Sequence, residues 1–264
     1  METETQSINC EQWQSFLEDG YFIAKGLIDS TTLKSLQNRL DDIMMGKARV
    51  DYGRMLMQLD SETGDYSDAG EQSKGFKGAT LNYRKIQDLE FDPMFLELMR
   101  HPLFESTCRQ VYGNEADIAV FRAMFMNKPA NRGTFLPWHQ DRWTFLDRDP
   151  QLTIWCALDP ATKENGCVQI VPASHRNGLI NPSHPSGFLT DEQAAEYATA
   201  ENIVYVELEP GDVVFLHNYL LHASDVNRSS QSRRAFSICY MDKASVDSRE
   251  KPHDYPVIFG EGAL

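Results

Sequence analysis

The sequence predicts one α+β domain in which helices cover one face of an antiparallel two-sheet core, a sandwich or barrel. Two observations carry this expectation. Up to about residue 115 the chain is mainly helical in pattern, whereas over 116–243 it turns to short apolar runs broken by Pro, Gly and Asn. No internal repeat, low-complexity tract or flexible linker divides the 264 residues, and single sandwich or barrel domains often reach that length.

The elements follow in order. EQWQSFLEDG at 11–20 has apolar residues at helical spacing and closes on Gly20, while STTLKSLQNRLDDIMMG at 30–46 opens on a Ser/Thr cap and closes near Gly46. Between them YFIAKG at 21–26 reads as a short strand. The stretch 48–79 is rich in Gly, Asp, Ser and Lys with little periodicity, which predicts a long mobile loop of the kind that serves as a lid. Helices follow at 91–99 and at 103–113, the second ended by Gly113. The strands of the second half are expected at 118–126, 152–158, 167–171, 203–208, 213–216 and 235–241, and the tail 247–264 as irregular chain.

With 41% hydrophobic and 11% aromatic residues the chain can bury a sizeable core. Its 25 Lys and Arg against 39 Asp and Glu give a net charge of −14. That field repels nucleic acid and anionic membranes, so a small-molecule substrate is the expected partner, with oligomeric state left open. METETQSINCEQWQ lacks the basic start and apolar run of a secretory signal, and no later stretch approaches ~20 uninterrupted apolar residues, which predicts a cytoplasmic protein. Five scattered cysteines without CxxC spacing predict reduced, mostly buried thiols.

Chemistry concentrates in PWHQDRW at 137–143. On a strand, residues two apart share a face, so His139 and Asp141 would project together while Gln140 points away. An imidazole and a carboxylate on one face are two thirds of a 2-His-1-carboxylate iron site. Among the seven histidines the best third ligand is His222, which follows a strand in GDVVFLHNYLLHASDVN at 211–227; His217 competes with it.

Further pieces carry a resemblance: KIQDL at 85–89, MFMNKP at 124–129, WHQD at 138–141, WCALD at 155–159, ENGCVQIVPASH at 164–175, EPGDVVFLHNYLLHAS at 209–224 and RRAFSICY at 233–240. In this order they resemble the phytanoyl-CoA dioxygenase family of Fe(II)- and 2-oxoglutarate-dependent oxygenases, from Lys85 to Lys243. The resemblance implies a double-stranded β-helix (jelly-roll, cupin-like) core flanked by N-terminal helices. It implies iron ligation by His139, Asp141 and His222, with His217 left to the core or to the surroundings of the site. It assigns the far carboxylate of 2-oxoglutarate to Arg233 and gives Ser224, Trp155 and Lys85 a share of that cosubstrate. Arg suits the task because its planar fork pairs twice with a carboxylate and stays charged when buried. Only one of the strand neighbours Arg233 and Arg234 can face inward. Ala173 and Ala223 stand where the family often has Gly. Halogenating relatives lack the carboxylate at the place of Asp141, so its presence favours hydroxylation.

The implied chemistry needs Fe(II), 2-oxoglutarate and O2, with ascorbate as an aid in vitro, and yields succinate and CO2. No run of Lys and Arg offers the dense patch a coenzyme A thioester would need against a charge of −14. Isolated charges, Arg54, Lys74 and Lys77 in the long loop and Arg122 and Arg142 near the iron strand, instead suit the head group of a small polar metabolite such as an amino acid, organic acid or aminophosphonate; Trp143 joins Arg122 and Arg142 as a substrate contact. The alternatives are a non-catalytic 2-oxoglutarate- or metal-binding module of the same fold, a hydroxylase of an acyl-CoA thioester, and a cupin-type hydrolase or isomerase.

Overall fold

A computed structural model describes residues 7–264 of the chain. Residues 1–6, on which part of the N-terminal reading rests, lie outside the described residues. Helix α1 (Cys10–Asp19) starts from a capping box between Asn9 and Gln12 and stops at Gly20, whose φ of 83° is the left-handed conformation glycine adopts most easily. Strand β1 (Tyr21–Ala24) leads to α2 (Ser30–Met44), capped by Asp29, one residue before the expected Ser/Thr cap, through its carboxylate and the amides of Thr31 and Thr32. Helices α3 (Pro93–Met99) and α4 (Pro102–Tyr112) each begin with a proline at the first turn, where no amide donor is needed.

The expectation of an unstructured 48–79 loop is corrected in part. That stretch contributes β2 (Leu56–Leu59) and β3 (Ser73–Lys74), and β2 pairs with β4 (Tyr83–Gln87). Met55 and Met57 are buried, which ties the segment to the core. Its remaining turns are polar and mostly exposed.

Two antiparallel sheets form the β layers. The larger runs β1-β10-β7-β12-β5-β4-β2-β3, built in addition from β5 (Ile118–Lys128), β7 (Leu152–Ala157), β10 (Val213–His217) and β12 (Arg233–Asp242). The smaller runs β6-β11-β8-β9, from β6 (Leu136–His139), β8 (Val168–Ile170), β9 (Val204–Val206) and β11 (His222–Ser224). Period-two alternation divides the larger sheet's two faces. Leu152, Ile154 and Cys156 of β7, Val213 and Phe215 of β10, and Phe236, Ile238 and Tyr240 of β12 pack under the helices with Leu40, Ile43, Phe95 and Phe104. Trp155, Ala157, Val214, Leu216 and Ala235 face the smaller sheet's Val168, Ile170 and Val206.

Two further elements correct the sequence reading. The tail contains β13 (Val257–Phe259), which pairs with β5 and buries Tyr255, Val257, Ile258 and Phe259. Helix α5 (Asp191–Tyr197) buries none of its residues and so shows no apolar stripe in the sequence. Four of the five free cysteines are buried and Cys10 is exposed. No helix among the described residues is long and apolar enough to cross a membrane.

Candidate metal and cosubstrate site

His139, Asp141 and His222 converge between the sheets, with one potential ligand atom from each lying within 4.8 Å of the others. β11 pairs with β6 so that His222 sits directly opposite His139, and the two ring centroids are 4.1 Å apart. The premise of one regular strand needs correction here. β6 ends at His139, and Asp141 lies beyond it. What brings Asp141 round is Gln140, fully buried, whose amide donates to the carbonyls of Gly178 and Tyr219 and accepts from the amide of Ile180. The amide of Asp141 itself donates to the carbonyl of Asn218 at 2.8 Å. Gly187 closes the same turn, because a Cβ there would lie 2.0 Å from the carbonyl oxygen of Gln140.

The donor set suits a divalent metal. His139 Nδ1 lies 2.8 Å from the carbonyl of Pro137, and His222 Nδ1 lies 2.9 Å from that of Leu220. A carbonyl oxygen only accepts, so each Nδ1 carries its proton and each Nε2 keeps a free lone pair. Both lone pairs turn toward Asp141, with His139 Nε2 3.9 Å and His222 Nε2 4.0 Å from its carboxylate oxygens. Burial first, and the neighbouring imidazole of His222 second, lower the His139 pKa to about 3, which keeps the ring neutral as ligation requires. Two imidazoles and one carboxylate on one side of an ion match the facial arrangement of non-haem iron(II).

These residues line a cavity of about 310 Å³. Deeper in it stands Arg233, at the start of β12 on the face turned to the smaller sheet, 3% exposed. Burial lowers its pKa to about 10, so it remains a cation at neutral pH. Its Nε has no partner, and among the described residues no carboxylate pairs with it. Arg234, one residue on, points to the helical side and is saturated by Asp159 at 2.8 Å and Asp41 at 2.7 Å. A buried guanidinium without a counter-ion is costly and calls for an anion from elsewhere. Trp155, with its ring centroid 5.2 Å from the Arg233 guanidinium carbon, and buried Ser224 line the same space. Lys85, from β4, enters from the side; burial first, then Arg84 and Arg122, bring its amine down to about 7.

The expected substrate contacts divide. Arg122, Arg142 and Trp143 line the cavity, whereas Arg54, Lys74 and Lys77 do not. Arg54 stacks on Phe91, and Lys77 is occupied by Ser73 and the Lys74 carbonyl. His217 reaches the cavity wall but not the ligand cluster, and its ring packs against Phe16 and His175. Sequence reasoning missed Lys128, which is 4% exposed, donates to the carbonyl of Thr134 and pairs with Arg233 across the ladder. Its parity with Met124 and Met126 on β5 was the available signal. It also missed Phe188, stacked on His139 at 4.9 Å, and Asn218 and Thr153, whose buried side-chain oxygens have no partner. Isolated polar residues give no such signal.

A profile of the family described as Phytanoyl-CoA dioxygenase (PhyH) matches residues 16–235. A probable phytanoyl-CoA dioxygenase of Caenorhabditis elegans is 28% identical over 247 residues, covering 90% of this chain and 76% of its own. The structure of EctD from S. alaskensis with 2-oxoglutarate and 5-hydroxyectoine superposes with a TM-score of 0.70 at 20% identity, over 92% of this chain and 79% of its own. The non-heme alpha ketoglutarate dependent carbocyclase SnoK from nogalamycin biosynthesis does so with a TM-score of 0.69 at 19% identity, over 97% and 99%. At these identities the superpositions show a shared jelly-roll fold.

Proposed function

The chain belongs to the phytanoyl-CoA dioxygenase family of Fe(II)- and 2-oxoglutarate-dependent oxygenases, and we propose that it hydroxylates a C–H bond of a small polar metabolite, with release of succinate and CO2. One observation carries the reading: a buried, unpaired Arg233 opens on the same cavity as the His139, Asp141 and His222 cluster. A metal-binding motif alone would not need that arginine, whereas a dicarboxylate that also binds the metal does.

In this reading His139, Asp141 and His222 hold Fe(II), and bound iron supplies the single-electron chemistry that O2 requires. Arg233 takes the far carboxylate of 2-oxoglutarate through its free donors, Ser224 adds a hydroxyl, and Trp155 forms an apolar wall. Lys85, which lines the same cavity, would offer a donor to the cosubstrate, and Lys128 lies beside Arg233 across the ladder, where burial first and then Arg233 push its amine toward the neutral form. Phe188 and Trp143 keep water off the ligands and limit how a substrate enters. Arg122 and Arg142 hold the substrate's head group. EctD's structure contains 2-oxoglutarate and 5-hydroxyectoine, a small polar molecule, which supports the substrate class proposed for this cavity.

The test is succinate formation from 2-oxoglutarate under O2, Fe(II) and ascorbate, across small acids and amino acids and the coenzyme A thioesters of the same acids. Coupled succinate with a free acid is the expected outcome. Coupling to thioesters alone would overturn the substrate class. Tight 2-oxoglutarate binding without succinate from any candidate would favour a binding module.

A further inference from the structure

A second lobe of about 460 Å³ adjoins the iron cavity, and Gln72, Arg122 and Trp143 line both. Its walls carry an aromatic shelf of Phe121, Phe145 and Tyr255 and, on the far side, Asp88 and Glu90.

A β-bulge creates the junction. In the β5–β12 ladder Arg122 faces Cys239 and Val120 faces Tyr240, which leaves Phe121 as an extra residue. Before the bulge Ile118 and Val120 point under the helices; after it Ala123 and Phe125 do. Phe121 and Arg122 therefore both face the cavity. Uninterrupted alternation would send Arg122 into the helical core.

Two groups of opposite charge are left open there. Among the described residues no hydrogen bond or ion pair holds the half-buried Arg122 guanidinium, which rests 5.0 Å from the Phe121 ring centroid and 4.8 Å from that of Trp143. Glu90 is 5% exposed and its Oε2 has no partner. The two do not pair with each other. Of the other charges nearby, Arg249 is engaged by Asp247, Lys251 and His253 are exposed, and half-buried Asp88 beside Glu90 adds a second acid without an ion pair among the described residues. A buried unpartnered carboxyl and an unpartnered arginine lining the same lobe are each costly unless a ligand answers them.

We propose that the substrate is an elongated amino acid whose carboxylate is held by Arg122 at the junction, whose carbon chain lies on Phe121, Trp143 and Tyr255, and whose ammonium end pairs with Glu90 in the second lobe. This rests on the oxygenase reading and narrows its substrate class. The carboxylate end then faces the iron lobe, which it shares with 2-oxoglutarate, and the amine end occupies space that 2-oxoglutarate does not reach. Buried in this way, the Glu90 carboxyl has its pKa raised to about 7, by burial first and by Asp88, so an arriving ammonium supplies the positive charge that stabilises its ionised form.

The test is calorimetric titration of the Fe(II)- and 2-oxoglutarate-loaded protein, without O2, with unbranched ω-amino acids of increasing chain length. Fatty acids and alkylamines of the same lengths serve as single-ended counterparts. One chain length is expected to bind at least tenfold more tightly than either counterpart. Arg122→Leu should reduce its affinity to that of the amine, and Glu90→Leu to that of the acid. Arg122→Gln and Glu90→Gln, which remove the charges but keep polar side chains, repeat the comparison if the leucine variants fold poorly. Equal affinity of double- and single-ended probes, absence of any preferred length, or an advantage that survives Glu90→Leu would each overturn the proposal. Binding is read as heat and not as turnover, so a failure of the oxygenase reading would register separately, as absent succinate.

Discussion

Strand β12 has two faces that the chain has finished to different degrees. Toward the helices Phe236, Ile238 and Tyr240 are fully buried, the Tyr240 hydroxyl donates to the carbonyl of Met99, and Arg234 is saturated by Asp159 and Asp41. Toward the smaller sheet Arg233 has an unpartnered Nε, and neighbouring Thr153 and Asn218 each leave a buried oxygen without a partner. Native interiors satisfy nearly all buried polar groups. The outer face is complete as folded, while the inner face is complete only with ligands in place, so stability should reside in one and activity in the other.

The largest effect expected is on the outer face. Phe236→Ala removes a side chain with no exposed surface that packs 4.7 Å from the Phe95 ring centroid, and should cost about 3–5 kcal/mol in denaturant unfolding. A loss below about 1 kcal/mol would show that this face is not the stabilising one.

The second lobe offers a test of the opposite kind. Glu90 has its pKa raised from 4.5 to about 7, so the native state holds the proton more tightly than the unfolded chain. The neutral acid's contribution is fully present below pH 4.5 and is lost as pH rises to about 7. At about 1.4 kcal/mol per pH unit over that interval, the wild type should lose up to roughly 3 kcal/mol more stability than Glu90→Gln. Parallel stability curves for the two proteins would remove the case for a buried, unanswered carboxyl.

On the inner face His222→Ala should lower succinate formation at least about a hundredfold, since even groups that only orient a metal ligand change function by 10–100-fold. Its stability should stay within about 1 kcal/mol of the wild type. His217→Ala, which removes a ring that packs on Phe16 outside the cluster, should retain metal. The reverse pattern would exchange their roles.

The smallest effect concerns Ala173, which holds a φ of 62° in the turn after β8, its amide donating to the carbonyl of Asp19 at the end of α1. Glycine relieves the left-handed strain at some entropic cost in the unfolded chain, so Ala173→Gly should raise stability by no more than about 1 kcal/mol and leave turnover unchanged.

The outer face was the more legible from sequence, because helices and buried strands announce themselves by period. Helices α1, α2 and α4 and strands β7, β10 and β12 lie within a residue or two of their expected ends. Strands β2 and β3 were not legible, since β3 is a two-residue edge strand and four-residue β2 buries the adjacent Met57 and Gln58 rather than alternate residues. Asp141 was found by a spacing rule whose strand ends two residues earlier; the turn held by Gln140 produces the same convergence by another route. Arg233 and Arg234 could be told apart only by resemblance, because parity says that one faces inward without saying which. The bulge at Phe121 depends on pairing with β12, and no local pattern reports it.

That adjacent pair gives the most direct test of the whole account. Anaerobic calorimetric titration of 2-oxoglutarate into the Fe(II)-loaded protein should find one site per chain in the wild type. Arg234→Ala, on the finished face, should keep that affinity within about threefold, while Arg233→Ala should lose at least about tenfold, the equivalent of 1.4 kcal/mol for a charge-assisted contact. Undiminished binding in Arg233→Ala, or a loss confined to Arg234→Ala, would contradict the claim that the inner face is an oxygenase site awaiting its cosubstrate.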